Sequence, residues 1–227
     1  MLQQTLRQAI QRRYPAPTYT IESLTTTKHE NVVRIFDHDS GNTMVAKGIF
    51  HVEENDEMGP TAMNRAFSVE SEVLSMLPSW WGFGLVDAFH AGNVRIIVTP
   101  ELQTYSWRDY KPSLSVDRLI ADTLEKQLRW LHSQHIAHRD LELKNVLLTP
   151  AGPVIIDFEK ANLDASREEM VMDWRKLIDS LRESDGTRRI GTLLAERAPF
   201  ARRKSVGGSR TRRSRLRKQS VTRRRRN

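Results

Sequence analysis

Apolar residues follow two different periods along the chain. Before about residue 100, most of them recur at every second position in short runs, a period typical of half-buried β-strands. Beyond that point they recur mostly at helical spacing. The pattern predicts an α+β fold class in which the strands lie before residue 100 and most of the helices lie after it. The predicted strands are residues 19–24, 31–37, 43–50, 82–91 and 94–98, and the predicted helices are residues 61–77, 115–133 and 190–197, with Ser115 as the N-cap of the second.

The first residues of the chain have a helical pattern of their own. Leu2, Leu6 and Ile10 fall on one face of a helix, and no acidic residue occurs before Glu22. A mitochondrial presequence has the same features, but it is normally rich in Ser. We therefore interpret residues 1–17 as an amphipathic helix or extension that packs on the predicted sheet.

Composition excludes several classes of protein. A chain of 227 residues with 38% apolar content can bury one sizeable core or two small lobes that share an interface. The absence of Cys excludes a disulfide framework and thiolate metal sites. No apolar run approaches the length of a membrane span, so no membrane span is expected.

The net charge of +8 is concentrated at one end of the chain. Residues 201–227 hold 13 Lys or Arg and no acid, which leaves 23 basic and 28 acidic residues in the rest. This acidic balance argues against a folded domain that binds nucleic acid through a basic surface. Residues 201–227 are predicted to be a disordered basic tail that binds nucleic acid or another polyanion or acts as a nuclear import signal, with a functionless solvated extension as the alternative. The expected location is nuclear or cytoplasmic.

The residues with the strongest chemical signal lie between residues 136 and 159. Residues 138–145 read HRDLELKN, and two short apolar runs follow, separated by a turn with Gly and Pro. This pattern predicts a β-hairpin that carries Asp157 back beside Asn145. Oxygen ligands on adjacent loops are typical of a magnesium ion held against a nucleotide.

These motifs resemble those of the protein-kinase-like superfamily, and the resemblance covers about residues 18–183. It implies a compact two-lobed domain over residues 18–200, with a small antiparallel sheet in the N-lobe (residues 18–102) and a minimal, mostly helical C-lobe (residues 103–200). It also implies the use of ATP and Mg²⁺. In such a domain Asp140 is the catalytic base, Asn145 and Asp157 hold magnesium, and Lys144 neutralises the γ-phosphate.

The resemblance also implies nucleotide contacts in the N-lobe. Ala46 and Lys47 match the strand that aims a lysine at the α- and β-phosphates, and Glu70 matches the helix residue that pairs with this lysine. The alternative is that Glu70, like Glu72, belongs to a solvated helix face. Glu101 and Leu102 occupy the position of the hinge, where backbone groups meet the adenine edge, although Pro100 before them removes one donor.

Several positions depart from the kinase pattern. The first turn, residues 25–31, contains no glycine, and Glu159 stands where the Asp-Phe-Gly motif has its glycine. The segment after Asp157 is too short for a full activation segment, and the next helix carries Asp173, which is similar to the Asp that binds the catalytic loop from beneath. The sequence predicts a kinase that phosphorylates a hydroxyl of a protein or small molecule. The alternative is a pseudokinase that acts as a nucleotide-binding or protein-interaction module.

Overall fold

The structure is a computed structural model that describes residues 2–23, 31–50 and 60–200. Most of the glycine-free turn and the whole basic tail at residues 201–227 lie outside the described residues. Binding of a polyanion by this tail and its role as a nuclear import signal therefore stay predictions.

The first half of the fold is an antiparallel sheet of five strands, which confirms the predicted α+β class. The strand order is β1-β2-β3-β5-β4. The predicted fourth strand is shorter than expected, because Leu85 donates its backbone N–H to Leu74 at the end of a helix (3.2 Å) rather than to the sheet. The strands are β1 (Tyr19–Ser23), β2 (Val32–Asp37), β3 (Thr43–Phe50), β4 (Asp87–Ala91) and β5 (Val94–Pro100).

Two helices pack on opposite sides of this sheet. Helix α1 (Leu2–Arg13) covers its outer face, where Leu6 and Ile10 are buried together with Val33 and Ile35 of β2. Helix α2 (Pro60–Met76) contributes to a second core on the inner side of the sheet. The burial of two apolar surfaces, one on each face, explains why the sheet strands are apolar on both sides.

The second half of the fold is mostly helical. It contains α3 (Leu114–Ser133), the hairpin β6 (Val146–Thr149) and β7 (Gly152–Ile155), α4 (Arg167–Glu183) and α5 (Arg188–Arg197). The predicted N-cap of α3 is wrong by two residues. Ser113 caps it by accepting the Val116 N–H at 3.3 Å, because the helix begins at Leu114 and places Ser115 inside the first turn.

The inner core joins the two halves. Ile97 of β5 and Phe67 of α2 belong to the same buried cluster as Leu124 of α3 and Phe158 after β7. Trp81 lies between them, 2% exposed, and donates its indole N–H to the Ile155 carbonyl at 3.3 Å. The cleft between the halves therefore has a shared apolar floor. In the part of the chain that is described, no helix has the length and apolar character that crossing a bilayer needs.

Candidate active site

A buried carboxylate fixes the loop at residues 138–145, called the catalytic loop below. Asp173 of α4 is fully buried, and its two oxygens accept the backbone N–H groups of His138 at 2.7 Å and Arg139 at 2.8 Å. Arg139 has a φ of 66°, in the left-handed region that non-glycine residues seldom adopt. Asp173 therefore stabilises a backbone conformation that the loop does not favour on its own.

His138 connects the catalytic loop to the end of the hairpin. Its Nε2–H donates to the Ile156 carbonyl at 2.8 Å, while its Nδ1 accepts the Asp140 N–H at 3.3 Å. Burial lowers the pKa of His138 and outweighs the nearby carbonyl and carboxylates, which raise it. The imidazole is thus neutral, with one nitrogen donating and the other accepting, and it acts as a structural anchor.

Asp140 lies at the centre of the loop and faces two cations. Its Oδ2 is 3.0 Å from Lys160 Nζ and 3.6 Å from Lys144 Nζ. Burial raises the pKa of Asp140, but these lysines outweigh burial and hold the pKa below its usual value. Its backbone carbonyl accepts the side-chain amide N–H of Asn145 at 2.8 Å. Asp140 is therefore ionised at neutral pH and fixed in position.

Lys144, which was predicted to neutralise the γ-phosphate, lies near Asp140 but is closer to Glu142. Its Nζ lies 3.2 Å from Glu142, and its side chain is 59% exposed. Lys160 was not predicted as a site residue, yet it makes the shorter contact with Asp140. Its position three residues after Asp157 is the only sequence signal that could have indicated it.

Asp157 follows the hairpin and lies beside Asn145, where the sequence placed it. The Ile156 N–H donates to the Asn145 carbonyl at 3.0 Å, which ties the two segments together. Asp157 has a φ of 67° and is, with His135 and Arg139, one of three non-glycine residues in the left-handed region among those that the structure describes. Such conformations persist only where the surrounding structure enforces them, and they cluster at functional sites.

Lys47 of β3 meets three carboxylates. Its Nζ lies 2.7 Å from Asp157, 3.2 Å from Glu70 of α2 and 3.3 Å from Glu159. Burial lowers the pKa of Lys47, but the three carboxylates outweigh it, so the pKa is raised. Burial raises the pKa of Glu70, and Lys47 opposes this shift. The predicted contact between Lys47 and Glu70 is present, and Glu72 on the same helix is exposed.

Glu159 was considered only as a missing glycine, and its contact with Lys47 was not predicted. The carboxylates of Glu70, Asp157 and Glu159 each offer an oxygen within 4.8 Å of the others, an arrangement that could hold a metal ion. The Lys47 ammonium contacts all three oxygens at hydrogen-bond distance. We therefore interpret this cluster as a lysine site and not as a metal site.

Ala46 does not lie where the prediction placed it. Adjacent residues of a strand point to opposite faces, so Ala46 and Lys47 cannot both line the cleft. Ala46 is fully buried on the outer face, in the same cluster as Leu6 and Ile10 of α1. Val45, two residues before Lys47, shares the inner face with Lys47 and takes the place predicted for Ala46.

The hinge offers fewer backbone donors than expected. Pro100 has no N–H, and the Glu101 N–H donates to the Thr43 carbonyl at 2.9 Å. The Glu101 carboxylate binds Arg34 of β2, with both its oxygens 2.9 Å from Arg34 Nε. Leu102 is half-buried against the inner core. A cavity of about 1030 Å³ reaches this point and is lined in part by Arg34, Pro100, Glu101 and Leu102.

A second, smaller cavity lies next to the catalytic loop. Its volume is about 220 Å³, and its lining includes three cationic side chains, those of Arg65, Arg139 and Lys160. Glu159 also lines it, but its carboxylate is already paired with Lys47. Two of the cations also face acids, Lys160 at 3.0 Å from Asp140 and Arg139 at 3.6 Å from Glu169. Because the lining holds three cations and one acid, we call this cavity the cationic recess.

Comparison with known proteins agrees with this geometry. Residues 98–195, a little under half of the chain, match the model of the lipopolysaccharide kinase (Kdo/WaaP) family, which is part of the protein-kinase-like superfamily. The chain belongs to the protein-kinase-like superfamily. A search of curated proteins finds no significant match. The chain is thus a kinase-like phosphotransferase, and the matched segment contains the catalytic loop, Asp157 and Asp173.

This kinase-like phosphotransferase has a very short connection where protein kinases carry their activation segment. Only residues 158–166 lie between Asp157 and α4, because α4 begins at Arg167, earlier than the sequence suggested. A capping box fixes this start: Ser166 accepts the Glu169 N–H at 3.2 Å, and Glu169 accepts the Ser166 N–H at 2.9 Å. The connection at residues 158–166 is therefore too short to form a long segment above the catalytic loop.

Proposed function

We propose that the protein transfers the γ-phosphate of ATP, with Mg²⁺, to a hydroxyl group of a small molecule. The observation that carries this proposal is the 2.7 Å contact between Lys47 of the sheet and Asp157 of the C-lobe. These residues are 110 positions apart in the chain, yet they meet beside Asn145 and Asp140. A phosphate-binding lysine beside a metal-binding carboxylate is the arrangement that kinase chemistry requires.

The residues present fit a magnesium ion. Asn145 uses its amide nitrogen to bind the Asp140 carbonyl, which leaves its side-chain oxygen to act as a ligand. Asp157 binds Lys47 through one oxygen and retains the other. Magnesium prefers such hard oxygen ligands and, when bound, neutralises charge on the β- and γ-phosphates.

Asp140 is the group that receives or orients the proton of the acceptor hydroxyl. Its lowered pKa keeps it ionised, its backbone carbonyl is held by Asn145, and its carboxylate contacts Lys160, one of the residues that line the cationic recess. Lys160 and Lys144 lie on either side of it and can move toward the transferred phosphate, because both ammonium groups are more than half exposed. Charge that develops on the phosphate is thus stabilised by nearby cations.

The acceptor proposed here is a saccharide hydroxyl and not an extended peptide. The short connection at residues 158–166 lacks the length of the segment on which protein kinases dock peptides. The matching family is described as a lipopolysaccharide kinase family, whose acceptors carry sugars. A recess of about 220 Å³ beside Asp140 is also of a size that suits a compact group.

The test measures nucleotide binding and transfer separately. A ligand present at about a hundred times its dissociation constant adds roughly 2.7 kcal/mol, so Mg-ATP should raise the melting temperature by several degrees. Asp157→Asn should remove the magnesium-dependent part of this shift. Transfer is followed with radiolabelled ATP and three acceptors: lipopolysaccharide, free monosaccharides and a serine peptide.

Label on a saccharide and not on the peptide would support the proposal. Label on the peptide alone would overturn the acceptor assignment. A magnesium-dependent thermal shift without label on any acceptor and without ADP formation would favour the pseudokinase alternative. No thermal shift at saturating Mg-ATP would contradict nucleotide binding itself.

A further inference from the structure

Arg34 occupies an unusual place for a charged residue. It pairs in register with Val45 of β3, and Val45 lies on the same strand face as Lys47. The face of the sheet that carries Lys47 lines the cleft, so Arg34 lies on the cleft side of β2, one strand further out. No role of Arg34 was predicted from the sequence.

Glu101 of the hinge holds the Arg34 guanidinium along one edge. Both carboxylate oxygens are 2.9 Å from Nε, and one of them is 2.5 Å from Nη2. Glu22 of β1 lies further away, 3.7 Å from Nη1. The Arg34 side chain is 37% exposed, and a guanidinium bound along its edge can still stack through its plane, which a lysine ammonium cannot do.

Two positions of the hinge offer no backbone donor to a nucleobase. Pro100 has no N–H, and the Glu101 N–H is already bound to the Thr43 carbonyl. Neither Pro100 nor Glu101 therefore offers a free backbone donor to the edge of a base. Stacking on a planar side chain does not depend on such donors, and Arg planes stack on nucleobases in other proteins.

We propose that Arg34, held flat by Glu101, stacks on the base of the nucleotide and is the main base-binding residue of this site. The inference rests on the proposed ATP-dependent function and adds a residue for base recognition to it. Stacking depends on the area of the base, so the site should prefer purine to pyrimidine nucleotides. Lys47 and the metal ligands act on the phosphates and do not distinguish one base from another.

The experiment measures the binding of Mg-ATP, Mg-UTP and inorganic tripolyphosphate to the full chain by calorimetry. In Arg34→Ala, ATP should bind about tenfold more weakly, which corresponds to about 1.4 kcal/mol. UTP should lose less, and tripolyphosphate should bind as it does to the wild type. The ratio of ATP to UTP affinity should therefore fall toward one.

Two further variants separate stacking from charge and from stability. Arg34→Lys keeps the positive charge beside Glu101 but lacks the plane, so it should lose base discrimination as Arg34→Ala does. Arg13→Ala removes another ion pair of the same lobe, the one with Asp87 at 3.0 Å on the α1 side, and should leave the affinity ratio unchanged.

Two results would overturn the inference while leaving nucleotide binding intact. An unchanged ratio of ATP to UTP affinity in both Arg34 variants would show that Arg34 does not contact the base. Tighter ATP binding in Arg34→Ala would show that the pair with Glu101 obstructs the base site. If the wild type binds neither ATP nor tripolyphosphate, the proposed function fails as a whole.

Discussion

The cleft has a lower wall, formed by the catalytic loop with Asp157 and Asp173, and an upper wall, formed by the sheet with Lys47, Arg34 and Glu101. The two walls hold their charged groups in different ways. On the lower wall, the fully buried Asp173 accepts backbone N–H groups of His138 and Arg139, and Asn145 donates to the backbone of Asp140. Bonds between a buried side chain and the backbone leave the loop no alternative conformation at low cost. The lower wall is therefore fixed before any ligand arrives.

The upper wall depends on ion pairs between side chains. Lys47 is 27% exposed and shares three carboxylates, while Arg34 is 37% exposed and binds Glu101. An ion pair with a partly exposed member contributes little free energy to folding, so its side chains can exchange partners easily. In the proposed function, Lys47 exchanges Asp157 for a phosphate of the nucleotide. The proposal therefore assigns the chemistry to the lower wall and adjustment to the nucleotide to the upper wall.

The largest effect is expected on the lower wall, from Asp140→Asn. The variant keeps the shape of the side chain but removes the base, so turnover should fall by about 10² to 10⁴. Mg-ATP binding should persist, because Asn145 and Asp157 are untouched. Single-turnover kinetics and calorimetry measure the two quantities. Glu142→Gln, a change at a partly exposed position of the same loop, is the control and should retain most of the activity.

Asp173→Ala tests whether the lower wall is fixed by buried bonds. The change leaves two backbone N–H groups without an acceptor, and each costs about 1–3 kcal/mol when buried, so unfolding should become about 2–6 kcal/mol easier. Urea denaturation measures this difference. Asp179→Ala removes an exposed acid from the same helix and should change stability little. If the two changes lowered stability equally, the buried bonds of Asp173 would not be what fixes the lower wall.

The lower wall could be predicted well because its residues are close in the sequence. The motif at residues 138–145 and the hairpin that returns to Asp157 are local features, and Asp173 lies on a clearly amphipathic helix. Lys160 and the Glu159 contact escaped prediction. Their positions depend on the left-handed conformation of Asp157, which an Asp adopts only occasionally, so the residue type alone does not predict it.

The upper wall was harder to predict because its strands are apolar on both faces. In β3, Met44 and Ala46 pack beneath α1 while Val45 and Ile49 face inward, so alternation does not reveal which face lines the cleft. This is why Ala46 was assigned to the wrong face. The pair of Arg34 with Glu101 joins residues 67 positions apart, and only the strand register brings them together.

A smaller effect is expected on the upper wall, from Glu70→Gln. Glu70 is 5% exposed and contacts Lys47, but Asp157 and Glu159 also hold this lysine. Mg-ATP affinity should therefore fall by only about three- to tenfold, roughly 1 kcal/mol. Glu72→Gln, on the exposed face of the same helix, should have no effect on calorimetric affinity. A loss of a hundredfold or more would show that the upper wall is as rigid as the lower wall.

The smallest effect is a shift in the pH dependence of turnover. Lys160 and Lys144 lower the pKa of Asp140, so its carboxylate stays ionised to a lower pH than an ordinary aspartate. Lys160→Met removes the closer cation, at 3.0 Å, so the pKa should rise and the acidic limb of the kcat profile should move to higher pH. Lys144→Met should move it less, because that contact is 3.6 Å long and Glu142 shares the cation. If neither change moves the acidic limb, the ionisation of a group other than Asp140 controls it. The two lysines would then not control the ionisation that limits turnover, although the backbone of the lower wall is fixed.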